Sequence, residues 1–321
     1  MAALIRPAQP ETDFVRISQL LTGVEPVPVS VDELVEDESR YVPGKIRRRL
    51  VALSEHNYIV GYALAVHYPS QGKGKFHIQI VVDPAFRNRG IGASLYDQAL
   101  AFVREQGAEV VYCEVQERFP EALRFAQHRG FAIHLHEIGA ALDLSTLDER
   151  RFHGVLEAVE QSGIRISTVA QEGNTLDNQR RLYEINRIAA LDNPSSDGTF
   201  PSFEVWLKLI PGSADFQPSG QIVAIDTARA DGAYIGFSGV AYIAETNIAE
   251  TLLTGVAQGY RGRGIATALK LHVIRFAVAH GATQIVTRVN SKNRAMLAIN
   301  AKLGFRVEPG FHELHLSLTS S

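Results

Sequence analysis

Val256-Ala257-Gln258-Gly259-Tyr260-Arg261-Gly262-Arg263-Gly264-Ile265-Ala266 decides the fold, because Val82-Asp83-Pro84-Ala85-Phe86-Arg87-Asn88-Arg89-Gly90-Ile91-Gly92 carries the same pattern earlier in the chain. The offset is 174 residues (261 − 87). It also joins Leu95 to Leu269, Phe102 to Phe276, Gly107-Ala108 to Gly281-Ala282 and Gly130-Phe131 to Gly304-Phe305, without a gap. Upstream, Ile59-Val60-Gly61-Tyr62 answers to Tyr234-Ile235-Gly236-Phe237 with the offset slipped by one residue. A repeat this long implies two halves of one fold. The 321 residues suit two domains at about 150 each.

Within each half a first strand (Leu4-Ile5-Arg6, then Ile164-Arg165-Ile166) leads into helical segments, a hairpin-like pair of strands, a further strand, the Arg-x-x-Gly-x-Gly/Ala turn and a long helix. The helix after Gly264 places Ile265, Leu269, Val273, Phe276 and Ala277 on one face and ends at Gly281. Strand 284–289, a short helix 293–303 and a last strand ending near Leu318 follow. Strands alternating with helices predict an α/β fold, with hairpins making the sheet mixed. The expected division is residues 1–145, a linker helix over 146–162 and residues 163–321. Ser145 is the expected N-cap of that helix, Phe152, Val155, Leu156 and Val159 its apolar face, and Gly163 its end.

Composition excludes several classes. Hydrophobic residues make up 45% and charged residues 21%, so the chain is not disordered. Lys and Arg total 32 against 35 acidic residues, a net charge of −3 that is wrong for a protein held to nucleic acid by its phosphates. The basic run Lys45-Ile46-Arg47-Arg48-Arg49 is expected as a solvated helix end. Cys113 is the only cysteine, which excludes an intrachain disulfide and a cysteine zinc site. It sits in the apolar stretch Val110–Cys113 and is expected in the core. Arg6, Pro7 and Glu11 stand where a signal peptide needs apolar residues, and no run reaches the ~18–20 residues of a membrane span. A cytoplasmic protein without membrane or nucleic-acid partners is expected; a homodimer stays open.

The repeated turn joins a strand to a helix. A helix N-terminus offers amides without internal partners and a positive dipole, so a phosphate fits there. Glycines 90 and 264 let the backbone come close. A glycine turn with no ligand is the plain alternative. The spacing differs from the dinucleotide fingerprint and from the P-loop. Elsewhere, Phe203, Trp206, Leu207 and Ile210 form a helical apolar stripe expected in the core. His134 and His136 share a strand face with no third metal ligand in view, and His312 and His315 fall on opposite faces; no metal site is expected.

Tyr260-Arg261-Gly262-Arg263-Gly264-Ile265-Ala266, with Asn293 and then Leu303-Gly304-Phe305, resembles the GCN5-related N-acetyltransferase (GNAT) superfamily, in the mycothiol-synthase-like two-domain layout. The resemblance covers nearly all of both halves. It implies two tandem GNAT domains, each a mostly antiparallel sheet with a splayed parallel pair and flanking helices, and acetyl-CoA as the acyl donor. It implies that the arm of the donor lies along Leu252–Val256 or Ile78–Val82. It assigns donor contacts to Thr254, Val256, Arg261, Gly262, Arg263, Gly264, Ile265, Ala266 and Asn293 in the second half. In the first half it assigns them to Val82, Arg87, Asn88, Arg89, Gly90, Ile91 and Gly92. The acceptor would be the amine of a small molecule. Such an amine needs a base; Glu250, six residues before Val256, has the family's spacing, and a regular strand would put both on one face. Where many members carry a tyrosine as the thiolate acid, this chain has Asn300, which cannot donate a proton at a useful pKa; at that catalytic position it would be a donor or substrate contact, or merely a helix residue. At the fixed offset Glu250 matches Phe76, Asn293 matches Phe119 and Asn300 matches Ala126, so the first half is expected to be degenerate and the second catalytic. His77, beside Phe76, is the reservation. Asp192, Asp197 and Glu204 would make the acceptor bowl acidic. A non-catalytic acyl-CoA-binding protein is the alternative function.

Overall fold

The computed structural model describes residues 3–25, 28–69, 72–196, 198–213, 216–243 and 246–318. The chain forms two compact units. Unit 1 holds residues up to His134 together with those from His312 onward; unit 2 holds Leu135–Phe311.

Unit 1 contains β1 (Leu4–Pro7), α1 (Pro10–Thr22), α2 (Val31–Ser39), β2 (Ile46–Leu53), β3 (Ile59–His67), β4 (Lys75–Val82), α3 (Ile91–Glu105), β5 (Val110–Gln116) and α4 (Pro120–Gln127). Strands β1 to β4 run antiparallel in order. β4 and β5 pair in parallel only over Lys75–His77. Two strands span both units: β6 (Ala132–Asp143), and a last strand whose end, from His312 to Ser317, lies beside β5. Local chemistry sets the helix starts. Pro10 opens α1, and Ser30 with Glu33 closes a capping box on α2.

Unit 2 contains α5 (His153–Gln161), β7 (Ile164–Thr168), α6 (Val169–Glu172), α7 (Leu176–Leu191), α8 (Phe203–Leu209), β8 (Gln221–Asp226), β9 (Tyr234–Ile243), β10 (Ile248–Val256), α9 (Ile265–Ala279), β11 (Gln284–Asn290) and α10 (Arg294–Leu303); the last strand is β12 (Arg306–Ser317). β7 to β10 run antiparallel in order. β10 pairs with β11 in parallel over Ile248–Glu250, and β11 pairs with β6 antiparallel from Asp143 to Glu137. Each unit thus has the mixed α/β sheet with one forked parallel pair. α7 lies close on β10: a Cβ on Gly255 would stand 2.2 Å from that of Ala189.

Grouping in space differs from the division expected along the chain. Residues 135–143 and the linker segment fold into unit 2, and the C-terminal segment folds into unit 1, because the strand after each short helix continues into the other unit. The linker is also helical over less of its length. α5 begins at His153, after two short 3₁₀ turns, and Ser145 caps nothing; its amide donates to Asp143. The basic run is not a helix end. It leads into and forms β2, where Lys45, Arg47 and Arg49 converge on Asp37, and Arg49 is buried against the Tyr62 hydroxyl at 2.6 Å. Trp206 is buried in α8 as expected.

Candidate active site

The two turns are nearly superimposable in chemistry. Gly264 and Gly90 cap α9 and α3 at φ +79° and +81°, with no side chain taking the first helical amides. Gly262 adopts φ +78°, and Asn88 holds the same left-handed position at +62°. The arginines brace the turn. Arg261 Nε donates to the Val256 carbonyl (3.0 Å), as Arg87 does to Val82 (3.2 Å). Arg263 donates to the Gly259 carbonyl and lies over Tyr260; Arg89 donates to Ala85 and lies over Phe86. What remains open at each turn is a run of backbone N–H groups at a helix N-terminus, the requirement for a pyrophosphate. Ile265 and Ile91 anchor the two helices in the cores.

The forks supply the rest. Pairing of β10 with β11 stops at Glu250, and pairing of β4 with β5 stops at His77. Beyond those points the strands part. The Ala257 amide donates to Ile235 at 2.8 Å. Neighbouring amides of a strand point to opposite sides, so the Val256 N–H points into the gap.

β10 carries a bulge. Thr251 faces Val240 and Thr254 faces Ser238, so three steps on β10 match two on β9. The extra residue reverses the alternation. Ala249, Thr251, Thr254 and Val256 face α9, whereas Glu250 and Gly255 face α7. Glu250 and Val256 therefore do not share a face, contrary to the regular-strand expectation. The bulge also changes the match between halves. Glu250 pairs with Val286 and His77 pairs with Tyr112, one offset apart. The counterpart of Glu250 is therefore His77, not Phe76, which is buried toward α3. β4 has no bulge in its register with β3. Burial depresses the basicity of His77, whose ring is tilted against that of Tyr112 with centroids 4.8 Å apart.

The other expected residues fall as follows. Asn293 N-caps α10, its Oδ1 accepting from the Met296 amide at 3.2 Å; Phe119, its counterpart, offers no such cap. The Thr254 hydroxyl bonds that of Ser238. Asn300 is 3% exposed, and neither amide atom finds a partner among the described residues. Ala266 and Gly92 lie in the first turns of their helices. Of the acidic bowl, Asp192 is engaged by Arg261 at 2.5 Å, Glu204 is exposed, and Asp197 lies outside the described residues. The loop after α7 reaches β11 through Ser195, which accepts from Asn290 at 2.9 Å. In unit 1 the loop after α1 spans the fork. Glu25 accepts from Gln79 of β4 (2.7 Å), and the Val24 carbonyl accepts from Gln116 of β5 and from Arg118 (3.0 Å). Beside the paired stretch of β4 and β5, His134, Glu313 and His315 bring ligand-type atoms within 4.8 Å of one another, with Glu313 3.6 Å from Lys75 and the His315 ring against Tyr112; the strand pattern did not reveal this third neighbour.

A helix start with open amides beside a forked parallel pair occurs twice, once in each unit. The chain belongs to the acetyltransferase (GNAT) family, whose model matches residues 15–131 and 182–305. Members of that family take acetyl-CoA as donor, and the open amides and the gap fit it: a Cβ on Gly262 or Gly90 would meet nothing within 4 Å. A mycothiol acetyltransferase of Nocardia farcinica is 27% identical over 268 residues, 82% of this chain and 80% of that protein. One of Clavibacter michiganensis is 25% identical over 326 residues, 95% and 96% of the two chains. A GCN5-related N-acetyltransferase from Sphaerobacter thermophilus superposes with a TM-score of 0.75 at 20% identity, covering 99% and 96%. A tandem GNAT protein from the clavulanic acid biosynthesis pathway gives 0.76 at 18% identity, covering 99% of both chains. These two likenesses show the fold. Among the described residues, no helix is long and apolar enough to cross a membrane.

Proposed function

We propose that the protein moves an acetyl group from acetyl-CoA to the amine of a small molecule by direct attack, and that unit 2 does so. The position of Glu250 carries this reading: it is the last paired residue before β10 and β11 part, at the root of the gap. An amine with a pKa of about 8 to 10 is mostly cationic at neutral pH, and a carboxylate there can take its proton. The Val256 N–H, which points into the gap, would bind the carbonyl oxygen as negative charge develops. The amides after Gly264 and the Asn293 side chain would hold the donor. The relatives named as mycothiol acetyltransferases support a small-molecule acceptor.

Unit 1 keeps the cradle but has the loop at Val24–Glu25 tied across the acceptor face of its fork. It is a structural unit or a degenerate donor site. The test is release of CoA from acetyl-CoA across a panel of small amines, with calorimetric titration of acetyl-CoA for stoichiometry. Amine-dependent release supports the reading. Binding without turnover across the panel would favour the non-catalytic alternative.

A further inference from the structure

Lys270 is 1% exposed in the middle of α9, and no carboxylate pairs with it among the described residues. Its Nζ lies 5.2 Å from the centre of the Phe305 ring. The same phenylalanine donates its amide to the Asn300 carbonyl at 3.0 Å, while the Asn300 side chain is buried and unpartnered. The Thr251 hydroxyl, on the face of β10 that meets α9, is buried and unpartnered too. Burying a cation without a counter-ion is costly, and so is an orphaned amide.

Unit 1 shows that the fold does not require these groups. At the same offset Tyr96 replaces Lys270, Ala126 replaces Asn300 and Phe131 replaces Phe305. The backbone contact is kept, Phe131 donating to Ala126 at 3.3 Å, and Tyr96 packs on Phe131 with centroids 6.2 Å apart. One unit closes this spot with an aromatic ring and a methyl group. The other spends stability on an ammonium and an amide. The difference is accounted for if something anionic and transient occupies unit 2, and acetyl transfer generates one such species, the thiolate of coenzyme A.

We propose that the Lys270 ammonium donates the proton that the coenzyme A sulfur takes as it leaves. The inference rests on unit 2 being the transferring unit. The acceptor nitrogen bonds to the carbonyl carbon, and the C–S bond breaks with its electron pair passing to sulfur. The sulfur takes one proton from Nζ. Of the two protons the acceptor ammonium loses, one leaves to solvent through Glu250 and the other restores Lys270. Burial brings Lys270 down to about 8, close to a thiol and still protonated at neutral pH.

A neighbouring ammonium must also favour the thiolate of bound CoA, which can be measured without knowing the acceptor. The protein is G90D, whose carboxylate repels phosphate from the unit 1 cradle and confines CoA to unit 2. Thiolate ultraviolet absorption is followed from about pH 6 to 9 for free and bound CoA. Burial holds Cys113, the only cysteine, at about 12, so the chain adds no thiolate in that range. The bound thiol should titrate at least one unit lower than free CoA, a tenfold change in thiolate at equal pH. G90D/K270M should lose that shift, bind CoA as well as G90D does, and melt higher because a buried unpaired cation is gone. A bound thiol that titrates with free CoA, or a shift that survives K270M, overturns the proposal; the first result needs no Lys270 variant to fold. Absence of CoA binding to G90D would instead remove unit 2 as the donor site.

Discussion

Glu250 and His77 occupy the same place at two forks; burial weakens the imidazole as a proton acceptor, and under the proposed function the carboxylate is the base. Replacing Glu250 with Gln keeps its shape and removes its charge. E250Q should lower kcat by about 10²- to 10⁴-fold and leave acetyl-CoA affinity unchanged by calorimetry; equal rates would take Glu250 out of the mechanism. The cradle glycines make a second residue-scale test, because the two copies differ in their surroundings. A left-handed conformation costs an L-residue about 1–2 kcal/mol. A Cβ on Gly90 meets nothing within 4 Å, so G90A should cost that much in urea unfolding. A Cβ on Gly264 would stand 2.9 Å from Val155 of α5, so G264A should cost more. Equal losses would mean that α5 yields without strain. The cradle was legible in the sequence because it is made of backbone, and the glycines that permit it are visible as letters. Lys270 was not: inside Leu269-Lys270-Leu271 it reads as the polar edge of an amphipathic helix, and only the burial of α9 nearly all round shows otherwise.

At the scale of the element, the bulge in β10 separates the two units. Ala249 and Val256 enter one core although seven residues apart, an odd spacing that a regular strand cannot give. In β4 the matching pair, Phe76 and Val82, is six apart and needs no bulge. A pattern of period two hides one extra residue. That is why the spacing from Glu250 to Val256 predicted a shared face, and why a constant offset matched Glu250 to Phe76. Leu252, 56% exposed within the bulge, is the residue to remove. Its deletion leaves Ala249, Thr251, Thr254 and Val256 on the α9 face and Glu250 on the other, so the core survives and the melting temperature should change little. Glu250 would move by one strand rise, about 3.3 Å, relative to the Val256 amide. Misplacement of about 1 Å can already cost 10²-fold. Turnover should therefore fall by at least about that factor with CoA binding retained. Full activity in the deletion variant would show that the bulge does not position the base.

For the whole molecule, the duplication and the mixed sheet could be read from the chain, but the exchange of strands could not, since a repeat shows which segments are alike and not which of them pair. Leu314, fully buried, belongs to the unit 1 core with Phe76, Tyr96 and Phe131, and the Leu318 amide donates to Glu109 at 2.8 Å. In return β6 covers β11 from Asp143 to Glu137. A cut in the linker at 146–162 therefore takes one strand from each unit. Residues 1–145 would leave the edge of β5 bare and carry a strand with nothing to pair; residues 163–321 would bare the edge of β11. Exposed, unpaired edges of this kind recruit other chains. Each segment expressed alone should aggregate or fail to melt cooperatively, whereas the two produced together should assemble, protect the β11 amides from hydrogen exchange and bind acetyl-CoA. A monomeric, cooperatively melting segment 1–145 or 163–321 would show that each half closes its own sheet in solution, and the exchange would then be no requirement of the fold.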